Sequence, residues 1–348
     1  MKLYFEEKER DGTRFLALRD APGHLSYGYY SNNSWVDDQR LVISRSDEAK
    51  DFRNCALYLA DLKERRVTPL PATARDHIEY VVSGELLYYI QKDTLFRLDL
   101  ATGEEEELFR EEGMTFPHMT RDGRYIAWAG REGELYTGRV LDLSTGKAET
   151  RFRKRFAEPF PVVNHVMISP ADPNLVFFCH EGITFYISNR LWLSEKGREP
   201  RDLAKQKLNK TGDLGDCLGH ECWAPDGKGL WFVKYICSPE PPKGIGYFDL
   251  AKNDWEVRYS AYNYWHVSAS PAGKYLGSDT QDGTFSAVCL VDLETGKEEM
   301  LLKTETNWTH PDHPHPHFSP NDRYMAFQDL EEGRVAIGVI DLDERRNA

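Results

Sequence analysis

The chain has 348 residues, 40% of them hydrophobic and 29% charged, with a formal net charge of −13. That is enough apolar material for a buried core, and the sign of the charge counts against nucleic acid as a partner. No run of about 18 apolar residues occurs, so no membrane span is expected. The N-terminus is charged rather than apolar, and the six cysteines are scattered without a Cys-x-x-Cys pair. Both features predict reduced thiols in a cytoplasmic protein.

Taken in order, the chain repeats itself. A unit of roughly 40 residues recurs: an extended segment, a Ser-Pro-Asp-Gly type of turn, an apolar strand, and a strand ending in Asp-Leu. After a lone strand at 13–18, the copies fall at 32–70, 77–109, 116–152, 163–203, 218–259, 264–302 and 313–344. Their turns include Arg121-Asp-Gly123, Ala224-Pro-Asp-Gly227, Ser270-Pro-Ala-Gly273 and Ser319-Pro-Asn-Asp322. No long helical period separates them. Such units cannot bury both faces alone, and set radially they become blades. The expected fold is all-β, one domain over 1–348, a seven-bladed propeller. The last copy lacks an outermost strand, which Thr13–Leu18 is placed to supply.

Histidine recurs at one position of this unit. Four residues before the turn serine or its substitute stand His77, His165, His220, His266 and His315, while His118 and His317 come two residues before it. The first copy has Asn32 there. That segment is the innermost strand of a blade, so the imidazoles are expected to converge on the axis. In His313-Pro-His-Pro-His317 the strict alternation predicts one shared face for all three rings. A single histidine of this kind serves well as a structural hydrogen-bonder. A ring of them is different, because crowded imidazoles cannot all be protonated, and neutral imidazoles in register suit a transition metal.

Asn164-His-Val-Met-Ile-Ser-Pro170, Phe178-Cys-His-Glu-Gly182, Asn189-Arg-Leu-Trp192, Gly219-His-Glu-Cys-Trp223, Trp265-His-Val267 and His315-Pro-His-Phe-Ser-Pro320 resemble the oligogalacturonate lyases. The resemblance runs over most of the chain and is strongest from 164 to 320. It implies a cytoplasmic seven-bladed propeller with manganese on the axis, which cleaves short acidic pectate fragments by β-elimination. It further implies His266, His315 and His317 as metal ligands, His220 as the proton-abstracting base and Arg190 near the substrate. A further oxygen ligand falls near Asp312, with His310 or His313 as substitutes. His180 and Glu181 belong in the cleft without a firm role. Where the family usually continues Pro-Trp-His, this chain has Ile183-Thr-Phe-Tyr186, a departure that bears on which sugar is accepted.

Around this set, His77, His118 and His165 are candidates for substrate contact, and Trp223 and Trp265 for stacking on a sugar ring. Tyr27, Tyr29 and Tyr30 are expected to pack near the channel, and Glu331 to be a solvated turn charge. No Gly-x-Ser-x-Gly elbow or phosphate loop is present. Two competing readings remain: a non-catalytic TolB-type propeller binding a protein or sugar, and a lyase for a different uronide.

Overall fold

The computed structural model describes residues 3–47, 55–70, 79–306, 308 and 312–346. The protein is all-β. Among the described residues the helices are the short Leu342–Arg346 and a 3-10 turn at Thr184–Tyr186, and none is long and apolar enough to cross a membrane.

Five four-stranded antiparallel sheets follow one another, each built mostly from consecutive strands. The first holds His24–Ser26, Arg40–Ser46, Ala56–Asp61 and Arg66–Pro69, so it opens ahead of the expected residue 32. The next four have first strands Glu79–Ser83, Thr115–Met119, Val162–Ile168 and Leu218–Trp223. A nine-stranded sheet takes the rest. It contains Tyr264–Ala269, Tyr275–Thr280, Phe285–Asp292 and Glu298–Glu305, joined by the single pair Glu305–Leu330 to Tyr324–Glu331, which His317–Phe318 flanks. Thr13–Asp20 then pairs with Arg334–Asp341, and Leu3–Arg10 lies outside it. Two strands from the start of the chain thus complete the last group, where one was expected.

Core residues sit between neighbouring sheets. Met167, Phe177 and Leu193 pack with Leu218, Leu230 and Phe232, and Leu18, Ile337 and Val339 pack with Leu25, Trp35 and Leu41. Sheets with an apolar layer on each face leave only the strand ends and the first strands for chemistry.

Four of those first strands are irregular in one place each. The pairing registers slip at Thr115/His118, Asn164/Met167, Gly219/Cys222 and Tyr264/Val267. Each slip is a β-bulge, which bends a strand and re-aims a side chain. Phe116, His165 and His220 sit in these bulges with φ of 54°, 49° and 52°. A left-handed backbone costs a residue with a Cβ of order 1 kcal/mol or more, and such residues gather where function demands it.

Candidate active site

The bulges of three strands and the irregular segment 312–316 bring their histidines together. His266, His313 and His315 are buried, and one donor atom from each lies within 4.8 Å of the other two. Ring centroids are 4.2 Å apart for His266–His315, 5.5 Å for His266–His313 and 5.3 Å for His313–His315. His266 Nδ1 faces both oxygens of Asp279 at 2.9 and 3.0 Å. A carboxylate there fixes the proton on Nδ1 and leaves the Nε2 lone pair for a ligand. Asp279 also accepts the backbone N–H groups of His266 at 2.7 Å and His315 at 3.2 Å, while burial raises its carboxyl to about 6.

His220 lies beside this cluster, its ring 3.9 Å from that of His266. Its Nδ1 bonds the carbonyl of Trp265, which can only accept, so the proton is on Nδ1 and the lone pair on Nε2. Burial, then the neighbouring His266, push its pKa well below the usual imidazole range. His220 is therefore neutral and able to take a proton.

Tyr29 and Tyr30 fill the space between the strands. Tyr30 lies 5.1 Å from His266 and stacks on His315 at 6.0 Å, and Tyr29 lies 5.6 Å from both His165 and His315. Sequence reasoning placed them at the channel as packing; the structure puts them among the imidazoles. Burial drives both hydroxyls upward, so they remain protonated donors.

A buried charge network forms the flank. Arg190 gives Nε to Glu221 at 2.6 Å and its terminal nitrogens to Glu181 at 3.0 and 3.5 Å. Glu221 also bonds His165 Nδ1 at 3.1 Å. Burial opposes ionisation of Glu221, but Arg190 and His165 overcome it and hold the carboxyl low. The guanidinium of Arg190, expected near the substrate, is thus occupied by Glu181 and Glu221. His165, Cys179 and Glu221 also bring donor atoms within 4.8 Å of one another, but the Arg190 cation already compensates that carboxylate.

Several expected members are elsewhere. His317 is not in the cluster: it stacks on Tyr27 at 6.1 Å, and His313 takes the place expected for it. The reason is His315, whose φ of 44° breaks the alternation that would have kept 313, 315 and 317 on one face. His317 and His118 instead line a separate cavity of about 410 Å³, toward the Ser-Pro turns. His118 misses the cluster because Phe116 holds the bulge position in its strand. Trp223 is buried core, its Nε1 on the Met167 carbonyl at 3.0 Å, and not a sugar platform. His180 donates Nε2–H to the Phe160 carbonyl at 2.8 Å and faces Asn189 through Nδ1 at 2.9 Å, so both nitrogens are structural. Asp312 is buried but is not part of the three-histidine group. His77 and His310 lie outside the described residues.

The donor set fits a divalent transition cation. Three imidazoles converge, and one is oriented by a buried carboxylate, an arrangement typical of metal ligands.

No family model matches the chain. The oligogalacturonide lyase of Pectobacterium atrosepticum is 25% identical, over 94% of this chain and 92% of that protein. The oligogalacturonate lyase of Dickeya dadantii is 23% identical, over 80% of this chain and 81% of its own. This chain is a distant relative of the oligogalacturonate lyases. Among solved structures, an oligogalacturonate lyase in complex with manganese matches with a TM-score of 0.81 at 20% identity, covering 100% of this chain and 98% of that one. The Vibrio parahaemolyticus lyase gives 0.82 at 19% identity, over 99% and 98%. TolB from Acinetobacter baumannii gives only 0.50 at 15%, over 87% and 80%. These solved structures speak to the fold. The lyase resemblance spans the chain, whereas the TolB likeness is looser.

Proposed function

We propose that this protein is a metal-dependent lyase that cleaves short oligogalacturonides by β-elimination. The observation that carries the reading is a neutral His220, its lone pair on Nε2, held ring against ring with a cluster of three convergent imidazoles. His266, His313 and His315 would hold the cation, manganese by analogy with the solved lyase. When bound, a divalent cation neutralises the substrate carboxylate and stabilises the negative charge that develops beside it.

The remaining work falls to the chain. His220 Nε2 removes the proton from the carbon next to the carboxylate, and its Nδ1–H···O=C bond to Trp265 keeps the ring aimed. A general base of this kind contributes roughly 10²- to 10⁴-fold. Glu181 and Glu221 hold Arg190 rigid, so its positive charge is fixed beside the site. Tyr29 and Tyr30 supply protonated hydroxyls and exclude water.

We further infer one domain, a seven-bladed ring closed by Thr13–Asp20, because six core clusters bridge neighbouring sheets, one of them the last to the first, and another packs the two halves of the nine-stranded sheet together. An acidic oligosaccharide as partner and a cytoplasmic location complete the reading.

Incubation with digalacturonate and Mn²⁺ is expected to yield an ultraviolet-absorbing unsaturated product. His220→Ala is expected to abolish it, with a loss of about 10²-fold or more, while metal binding persists. Metal bound but no product from any uronide would remove the reading. A substrate panel separates galacturonides from other uronides.

A further inference from the structure

Six large hydrophobic side chains are exposed among the described residues, and three of them sit on one loop: Ile183 at 55%, Phe185 at 50% and Tyr186 at 71%. Clustered exposed apolar groups mark a binding surface more often than isolated ones do. This loop joins Leu175–Glu181 to Leu191–Glu195. Glu181, which starts it, pairs with Arg190, which pairs with Glu221, so the loop stands at the same end of the sheet as the site.

The loop is rigidly mounted. Gly182 N–H bonds Glu181 Oε1 at 3.1 Å, and Ile187 is buried. Phe160 and Ile187 close over Gly182, where a Cβ would meet them at 2.7 and 2.9 Å. The Tyr186 ring lies parallel to Phe160 at 6.3 Å, and His180 Nε2 anchors the Phe160 carbonyl. Both aromatic rings are thus presented rather than loose.

A cation is connected to Phe160 through Phe156 and His180. Lys154 lies over Trp192 at 4.4 Å and over Phe156 at 5.2 Å, and Phe156 stacks on His180 at 3.7 Å. No carboxylate pairs with Lys154 among the described residues, although most lysines and arginines nearby have one. An aromatic face and an unneutralised ammonium joined by one network of contacts suit an acidic sugar: the ring's C–H face against tyrosine, the carboxylate toward lysine.

We propose that Phe160 and Tyr186, with Lys154, form an outlying subsite for a uronate ring beyond the linkage being cleaved. The proposal rests on the lyase reading and adds the chain-length preference of its substrate. Three side chains are far short of the roughly 800 Å² per partner that a standard protein interface needs, which favours a sugar over a second copy of this chain.

The test compares galacturonate dimer, trimer and tetramer with the wild type, Tyr186→Ala and Lys154→Met, following the ultraviolet product. In both variants the ratio of kcat/KM for tetramer to that for dimer is expected to fall, roughly tenfold for Tyr186→Ala, through KM. An active wild type with that ratio unmoved in the variants overturns the subsite alone. A wild type inactive on every length overturns the lyase reading and the subsite with it. A wild-type dimer that Tyr186→Ala turns into monomers assigns the loop to self-association and also overturns the proposal.

Discussion

His266 shows how little of a metal site is made by the ligand itself. Its imidazole is useful because Asp279 holds the proton on Nδ1 and also accepts the His315 N–H, tying two candidate ligands to one carboxylate. Asp279→Asn is expected to weaken Mn²⁺ affinity about 10- to 100-fold, measurable by calorimetric titration, with folding retained. His118 carries a different burden. Burial pushes its pKa down to about 4, whereas an exposed imidazole titrates near 6.5. The unfolded chain therefore takes up this proton first. The stabilisation is whole above about pH 6.5 and is lost as the pH falls toward 4. His118→Gln is expected to show a smaller drop in Tm between pH 7 and pH 5 than the wild type.

At the scale of the element, the bulged first strand does the positioning. Gly219, one residue before His220, shows how tightly it is packed: a Cβ there would lie 1.8 Å from the Tyr235 hydroxyl. Tyr235 in turn packs 5.2 Å from the His220 ring. Gly219→Ala is expected to destabilise by about 1–3 kcal/mol in urea unfolding and to lower turnover by displacing His220. Much of this was legible beforehand. The recurring turn and apolar strand revealed the repeat, and the repeat located His165, His220 and His266. Three things were hidden. The left-handed backbone at His315 stands against the extended preference of a residue before proline, so no pattern rule turns His317 away. Asp279 lies on a neighbouring strand, thirteen positions from the ring it orients, and only the pairing reveals it. Glu221 stood in plain view within Gly-His-Glu, but its role depends on Arg190, thirty-one positions away.

Across the whole molecule, the seam between Thr13–Asp20 and Arg334–Asp341 joins strands far apart in the chain. Thr13–Asp20 contributes Phe15, Ala17 and Leu18 to the core. Glu331, expected to be a solvated turn charge, instead binds Lys8 and Arg19, and Asp329 receives both terminal nitrogens of Arg10. Deleting residues 1–20 is expected to cost at least about 3 kcal/mol from the two large side chains alone, seen as a lower denaturation midpoint.

That joint also sets a timetable. Lys8 and Glu331 are 323 positions apart, so although Leu3–Arg10 and Thr13–Asp20 pair with each other, the second edge of Thr13–Asp20 waits for Arg334–Asp341 to be made. His313 and His315 arrive just as late. A nascent chain thus carries one unsatisfied edge across the synthesis of all the intervening sheets and gathers the three candidate ligands only after them, which makes chaperone supply during translation a determinant of active yield.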